Sequence, residues 1–261
     1  MNPLENRELL PESPYIWRAR NPAHTHRLIC FPHAGAGATA FSDWVPFLPP
    51  EIELVAVQLP GRQNRIAEEP FVDTGPLLTV LTHALRPVLD GRFAFFGHSG
   101  GAALAYELAT ALRSRGRRGP EQLFLSARPA PHTTEIRQLH DLSDDELLAE
   151  LVALGGIENE IAEDRDVMAA LLPLLRTDFG LWERHRSTPR APLDCPITVL
   201  CGTSDPRAPL ETVDEWRAHT TAGFSTRFYP GGHFYFLEWT ADVVRHMCGR
   251  LLAATTDRKT A

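Results

Sequence analysis

The fold is decided by residues 93–101, which read Phe-Ala-Phe-Phe-Gly-His-Ser-Gly-Gly and lead into the helix-forming segment Ala102–Leu108. An apolar run, a G-x-S-x-G motif and a helical segment together predict a strand, a sharp turn and a helix. Such a turn strains the serine backbone and lifts its hydroxyl above the sheet, and glycines flank it because larger side chains would collide with the strand and helix. Ser99 is therefore the predicted nucleophile. A glycine-rich turn without chemistry is the alternative.

Four more apolar runs lie elsewhere in the chain, at Leu28–Phe31, Leu54–Val57, Leu123–Leu125 and Ile197–Cys201. They are continuous rather than alternating, which is typical of strands buried on both faces of a parallel sheet. Helix-like stretches alternate with them, at Pro76–Leu89, Ala102–Arg113, Glu211–Thr220 and Ala241–Leu252. This alternation predicts an α/β fold with a mostly parallel, doubly wound sheet, and the serine motif makes it an α/β-hydrolase fold. Residues 1–24, polar and rich in proline, are expected to form a loose leader.

Residues 139–187 break the alternation because they carry helical signals only. Ser143 and Glu146 have the spacing of a capping box, and the helix that they begin should end at Gly155. Pro173 marks either a kink or the first turn of a new helix. We expect residues 1–261 to form a single domain, with 139–187 as a helical lid inserted over the active site. A helical hairpin without a role at the site is the alternative.

Ser99 needs a general base, because a free serine hydroxyl is protonated at neutral pH. The fold supplies partners in the chain order serine, acid, histidine. Asp205 lies in the loop after the predicted strand Ile197–Cys201, and His233 follows a later apolar stretch in a Gly-Gly-His-Phe sequence. Ser99, Asp205 and His233 are therefore the predicted triad, in which the carboxylate orients the imidazole without taking its proton.

Three other residues compete for these roles and are less suited to them. Asp194 precedes its strand and so lies at the wrong end of the sheet, while Asp214 falls inside a predicted helix. His246 lies within the final predicted helix, where a surface or packing role is expected.

Two backbone N–H groups are needed to stabilise the tetrahedral oxyanion. Gly100, the residue after the nucleophile, supplies one, and Ala34, in the loop after the first predicted strand, supplies the other. The glycines at 35 and 37 also suit a phosphate-binding turn, but the third glycine of a dinucleotide motif and the lysine of a P-loop are both missing.

Composition limits the functional classes. A net charge of −7 argues against nucleic acid as a partner, and no apolar run reaches the 18 residues of a membrane span. Charged residues near the N-terminus leave no apolar core for a signal peptide, so a cytoplasmic location is expected. The four cysteines form no CxxC pair and are expected to be buried thiols, with no metal site.

Several segments, in order along the chain, coincide with one family. The sequence resembles the type II thioesterases, the free-standing editing enzymes of polyketide and nonribosomal peptide assembly lines. The resemblance rests on Phe-Pro-His-Ala-Gly at 31–35, Leu-Pro-Gly-Arg at 59–62, Gly-His-Ser at 97–99, Leu-Pro-Leu-Leu-Arg-Thr-Asp-Phe at 172–179, Gly-Thr-Ser-Asp at 202–205 and Gly-Gly-His-Phe at 231–234.

The resemblance implies hydrolysis of acyl groups from the phosphopantetheine thiol of an acyl or peptidyl carrier protein. No separate cofactor is expected, because the substrate carries the phosphopantetheine, and a monomer is expected. The resemblance also supports the triad and the lid. The family commonly has methionine after the nucleophile, where this chain has Gly100. We expect the missing side chain to widen the pocket and loosen the turn.

Carrier proteins are usually acidic, so arginines at the edge of the sheet that bears the triad are docking candidates. They are Arg62, Arg65, Arg128 and Arg207, each of which follows the end of a predicted strand. Residues 141–166 contain ten acidic residues and one arginine, so a carrier should approach away from this part of the lid.

Two other functions are compatible with the sequence. A carboxylesterase or lipase would use the same triad on oxygen esters of a small molecule. A non-catalytic module would bind carrier proteins and retain an unused site. Comparison of matched thioesters and oxygen esters separates the first from a thioesterase, and the effect of Ser99→Ala separates the second.

Overall fold

The computed structural model describes residues 7–133, 138–188 and 190–257, and in them eight strands form one sheet. The strands are β1 (Leu10–Ser13), β2 (Ile16–Ala19), β3 (His26–Phe31), β4 (Ile52–Val57), β5 (Phe93–His98), β6 (Leu123–Ser126), β7 (Ile197–Gly202) and β8 (Phe224–Tyr229). They lie in the order β1-β2-β4-β3-β5-β6-β7-β8. From β4 to β8 in this order, each strand runs parallel to its neighbour. At the other end of the sheet, β1 pairs antiparallel with β2, and β2 pairs antiparallel with β4.

Helices cover both faces of the sheet. They are α1 (Thr74–Ala84), α2 (Gly100–Ser114), α3 (Asp144–Ala153), α4 (Asn159–Ala162), α5 (Arg165–Glu183), α6 (Leu210–Val213) and α7 (Thr240–Asp257). In the central strand β5, Phe93 and Phe95 pack into the core beneath α1 and α2. Ala94 and Phe96 alternate with them and pack into the opposite core, with α7. Because both faces are buried, the strand is apolar throughout, and the predicted α/β-hydrolase fold is confirmed.

The expected loose leader is wrong for the part of it that the structure describes. Strands β1 and β2 form an antiparallel pair at the edge of the sheet, and β2 in turn pairs with β4, with Ile16 opposite Val57. Ile16 and Ala19 are fully buried by this pairing. Four-residue strands are too short to produce an apolar run in the sequence. Burial against β4 stabilises β2, whereas β1 is mostly exposed.

The other edge and two helices also differ from the prediction. Strand β8 was expected only through its apolar end, because an edge strand keeps exposed polar positions such as Arg227. The helix expected over 76–89 ends at Ala84, and a 3₁₀ turn with Pro87 at its second position follows it. The helix expected over 211–220 is a single turn, α6, followed by a 3₁₀ segment.

Helices α3, α4 and α5 occupy the segment between β6 and β7 that was expected to be helical. Ser143 and Glu146 form the capping box at the start of α3, and Gly155 follows its end in a left-handed conformation. Pro173 lies inside α5, so it does not begin a new helix. These helices enclose a small apolar cluster of their own, made of Leu139, Leu147, Leu151, Met168, Leu172 and Leu175.

Glu183, at the end of α5, connects this helical segment to the rest of the molecule. Its carboxylate accepts hydrogen bonds from the backbone N–H groups of Leu139 and His140, where the segment begins. It also pairs with Arg207 in the loop after β7, at 3.1 Å. The two ends of the segment and the sheet edge therefore meet at one buried carboxylate.

The four cysteines are buried and free, as expected. In the part of the chain that the structure describes, none of the helices combines the length and the apolar character needed to cross a bilayer.

Candidate active site

Ser99 lies between the last residue of β5 and the first residue of α2, in a backbone conformation that non-glycine residues rarely adopt. Its φ is 54° and its ψ is −116°. Such a conformation costs about 1–3 kcal/mol and persists only where its surroundings enforce it. Here the Ser99 N–H donates to the Ser126 carbonyl of β6 at 2.8 Å.

The flanking glycines allow the turn to approach neighbouring backbone closely. A Cβ atom on Gly97 would lie 2.1 Å from the Gly101 carbonyl oxygen, and one on Gly101 would lie 2.1 Å from the Phe31 carbonyl oxygen of β3. No side chain fits at either position. The motif therefore has a steric origin, and the strand-turn-helix prediction is confirmed.

Asp205 and His233 lie in the loops after β7 and β8 and are hydrogen-bonded to each other. His233 Nδ1 lies 3.0 Å and 2.9 Å from the two carboxylate oxygens of Asp205, and both residues are buried. Asp205 also accepts the backbone N–H of Arg207 at 2.8 Å. Backbone contacts between the loops, such as Ser204 N–H to Gly231 carbonyl at 2.9 Å, hold the pair in place.

A cavity of about 180 Å³ brings Ser99 and His233 to one wall, with Ala34 and Arg207 beside them. The facing wall comes from the helical segment and is largely apolar, formed by Leu151, Leu154, Ile157, Leu171, Leu175 and Phe179. The competing residues Asp194, Asp214 and His246 are not among those that line it. Within the described ranges, no cluster of three or more histidine, cysteine or carboxylate side chains has a metal-binding arrangement.

The two predicted oxyanion donors belong to two separate segments of the chain, the start of α2 and the loop after β3. Gly100 is the first residue of α2, where an N–H has no acceptor inside the helix and lies at the positive end of the helix dipole. Ala34 belongs to the loop after β3 and lines the cavity with Ser99. Both N–H groups therefore belong to positions that suit them to bind a developing negative charge.

Two further histidines surround His233, and neither was singled out by the sequence. The ring centroid of His98 lies 4.9 Å from that of His233, and the ring centroid of His33 lies 5.8 Å from that of His98. Burial lowers the pKa of His98 well below its ordinary value, and burial lowers that of His33 to about 4. Both rings are therefore neutral at pH 7.

Two of the four arginines expected at a docking surface are buried, which corrects that prediction. Arg62 is 4 % exposed and its guanidinium forms a two-bond ion pair with Asp178 of α5, at 2.6 and 3.0 Å. Arg65 is 6 % exposed, pairs with Glu68 and stacks on the ring of Tyr15 at 4.1 Å. Neither guanidinium is available to a partner. The sequence indicates the correct end of each strand but not which arginines fold inward.

The other two arginines are half-buried near the site. Arg207 lines the cavity, pairs with Glu183 and lies 5.8 Å from the ring of Phe179. Burial, with a smaller effect of Arg207, lowers the pKa of Arg128 to about 10. A docking role for Arg128 and Arg207 stays a prediction.

The expected wider pocket at Gly100 is wrong, because Trp182 of α5 fills the space. A Cβ atom on Gly100 would lie 2.9 Å from Cδ1 of the indole, which is 7 % exposed. The helical segment thus packs directly on the nucleophile turn. Neither Trp182 nor Asp178 was predicted as part of the site, although residue 178 lies in one of the segments on which the resemblance rests.

A mostly parallel sheet with a serine turn between β5 and α2, and an acid–histidine pair after β7 and β8, defines an α/β-hydrolase. Comparison with known proteins narrows the class. The thioesterase domain family matches residues 26–251, so the chain belongs to the thioesterase family. Among its relatives is the gramicidin S biosynthesis protein GrsT of Aneurinibacillus migulanus, which is 37 % identical over 232 residues, covering 88 % of this chain and 91 % of GrsT.

Solved structures of thioesterases are similar to this chain over most of its length. The type II thioesterase BorB from the borrelidin biosynthetic cluster superposes with a TM-score of 0.84 at 37 % identity, covering 92 % of this chain and 99 % of BorB. The thioesterase RedJ from the prodiginine pathway of Streptomyces coelicolor superposes with a TM-score of 0.82 at 40 % identity, covering 87 % and 91 %.

Proposed function

We propose that this chain is a serine thioesterase that removes acyl groups from the phosphopantetheine thiol of acyl or peptidyl carrier proteins, clearing aberrant units from a polyketide or nonribosomal peptide synthase. The observation that carries the proposal is the buried Asp205–His233 pair at a cavity that Ser99 also lines. Membership of the thioesterase family supports a thioester as the substrate.

In the proposed mechanism, His233 Nε2 takes the proton of the Ser99 hydroxyl as its oxygen attacks the thioester carbonyl. The N–H groups of Ala34 and Gly100 bind the resulting oxyanion, and each such donor is worth about 3 kcal/mol of barrier. His233 then protonates the departing thiol, and an acyl-serine ester remains. Water attacks this ester with His233 as base, and His233 then returns the proton to the departing Ser99 oxygen as the carboxylic acid is released. Asp205 orients the imidazole throughout and does not take the proton.

The cavity favours short acyl groups. Its volume of about 180 Å³ is below the roughly 300–1,000 Å³ of sites that hold drug-sized ligands. Apolar side chains of α3 and α5 face Ser99 across it, which suits a hydrocarbon chain. The synthase partner is inferred from the relatives, since GrsT is a gramicidin S biosynthesis protein and BorB belongs to the borrelidin cluster.

The test is intact-mass spectrometry of the protein incubated with pantetheine thioesters of increasing chain length. We expect an adduct with the mass of the acyl group, mapped to Ser99 and absent from Ser99→Ala, with short chains turned over fastest. An adduct on another residue, or no turnover of any thioester, would overturn the proposal. Matched oxygen esters in the same panel decide between a thioesterase and a carboxylesterase. Faster turnover of the oxygen esters by orders of magnitude would favour the latter.

A further inference from the structure

Asp178 of α5 connects three parts of the molecule that are distant in sequence. One carboxylate oxygen accepts the backbone N–H of Gly35, in the loop after β3, at 2.8 Å. The same oxygen accepts from one guanidinium nitrogen of Arg62 at 2.6 Å, and the other oxygen accepts from the second nitrogen at 3.0 Å. Asp178 is 6 % exposed and Arg62 is 4 % exposed. The charges are therefore buried as a pair.

The peptide bond between Ala34 and Gly35 is held at both of its polar ends. Its carbonyl accepts a hydrogen bond from His33 Nδ1 at 3.0 Å, and its N–H donates to Asp178. Gly35 has a φ of 75°, and a Cβ atom there would lie 2.6 Å from a methyl carbon of Leu175 on α5. The loop that carries the Ala34 N–H is therefore held by contacts with α5, in addition to its own turn hydrogen bond from the Ala36 N–H to the His33 carbonyl at 3.1 Å.

Arg62 supports this arrangement from a third direction. Its Nε donates to the Pro60 carbonyl at 3.0 Å, and Nη1 also lies 3.4 Å from the Ala36 carbonyl. The planar guanidinium binds a carboxylate through two parallel hydrogen bonds, which sets the orientation of the carboxylate as well as its position. The oxygen that receives Gly35 is thereby aimed at the loop.

We propose that Asp178, oriented by Arg62, is a positioning residue that aims the Ala34 N–H at the oxyanion. Because Asp178 belongs to α5, the oxyanion donor is in place only when the helical segment is seated on the sheet. This inference rests on the proposed function, since it requires Ser99 as the nucleophile and Ala34 as a donor.

The test removes the buried pair without leaving a single buried charge. Replacing a buried ion pair with apolar residues of similar volume is often neutral for stability. The double variant Arg62→Met with Asp178→Leu should therefore fold, while Gly35 loses its acceptor. For an acyl-pantetheine substrate we expect kcat to fall about 10²–10³-fold, the usual cost of one oxyanion donor, with KM changed less than about threefold.

Two readouts separate positioning from a merely structural role. A trifluoromethyl ketone analogue, which forms an oxyanion on Ser99, should bind more weakly by the same factor as kcat falls, whereas the S-alkyl pantetheine thioether, which has no carbonyl, should bind equally well. The neutral pair Arg62→Gln with Asp178→Asn keeps an oxygen that can accept the Gly35 N–H. Its kcat should be at least about tenfold higher than that of the apolar pair. The exposed pair Arg227–Asp242, at 2.8 Å, provides the matched control, and Arg227→Met with Asp242→Leu should leave kcat unchanged.

An unchanged kcat in the apolar variant, or a rise in KM at constant kcat, would overturn the inference while hydrolysis by the wild-type protein still supports the proposed function. Absence of hydrolysis in the wild type would instead overturn the proposed function. Should the apolar pair fail to fold, Arg62→Gln with Asp178→Leu decides, because it also removes the acceptor of the Gly35 N–H but keeps a donor for the Pro60 carbonyl. A lower kcat at constant KM supports positioning, and any other result contradicts it.

Discussion

The two walls of the cavity are held in place in different ways. On the sheet side, Ser99, Asp205 and His233 lie within a few residues of strand ends, and backbone hydrogen bonds and close backbone contacts fix them. On the helical side, α3 and α5 have their own small apolar cluster and reach the sheet through side chains, chiefly those of Asp178 and Trp182. Substitutions on the sheet side should therefore abolish the reaction, and those on the helical side should have smaller, partial effects.

The largest effect is expected at the nucleophile. Ser99→Ala should lower kcat by about 10⁶, as loss of a triad nucleophile does. The exposed Ser204, next to Asp205, is the matched control, and Ser204→Ala should keep nearly full activity. Thioester hydrolysis assays with both variants check this. Hydrolysis by Ser99→Ala at the wild-type rate would contradict the assignment of Ser99 as the nucleophile.

The acid should be next in size. Asp205→Asn leaves the geometry but stabilises the wrong imidazole tautomer and no longer compensates its charge, so kcat should fall by about 10⁴. Asp214→Asn, which alters the exposed competing carboxylate, should have no effect on kcat. The same kinetic assay measures both. Equal effects of the two substitutions would contradict the assignment of Asp205.

A graded effect is expected where the helical wall contacts the nucleophile turn. Gly100→Met places a side chain against the indole of Trp182 and should lower the free energy of unfolding by about 1–3 kcal/mol, as overpacking does. Adding Trp182→Leu should relieve the clash, so the two substitutions should couple favourably in a double-mutant cycle by urea unfolding. Additive effects would show that the two walls are not in contact there.

At neutral pH the smallest effect should come from His33, which lines the cavity and whose effect on stability develops only in acid. Its pKa is about 4 in the folded protein and about 6.5 when unfolded. As the pH falls from 6.5 to 4, the unfolded state binds the proton first, so folding stability is lost in that window and is complete above it. His33 contributes at most about 1.4 kcal/mol per pH unit.

The variant His33→Asn keeps a donor for the Ala34 carbonyl but cannot titrate. Urea unfolding between pH 4 and pH 7 should therefore give a shallower loss of stability for this variant than for the wild type. Parallel curves would mean that His33 is not held neutral by the fold.

Several features of the fold and site follow from local sequence. The elbow at Ser99 was predictable because steric exclusion at Gly97 and Gly101 leaves only one residue type there. The capping box at Ser143 depends on residues three positions apart, and the structure contains it. The burial of Arg62 was not predictable, because its partner Asp178 lies 116 residues away along the chain. In sequence, buried and half-buried arginines alike simply follow the end of a strand.

The sequence by itself determined the central parallel strands, the nucleophile turn and the thioesterase resemblance, because each arises from neighbouring residues whose backbone needs are local. Only the tertiary structure decided that Trp182 fills the space beside Gly100, that Arg62 and Arg65 are structural, and that Asp178 holds the loop of Ala34. These outcomes depend on which side chains meet when α5 packs on the sheet edge. Packing of that kind is a property of distances in space, which residue spacing along the chain does not encode.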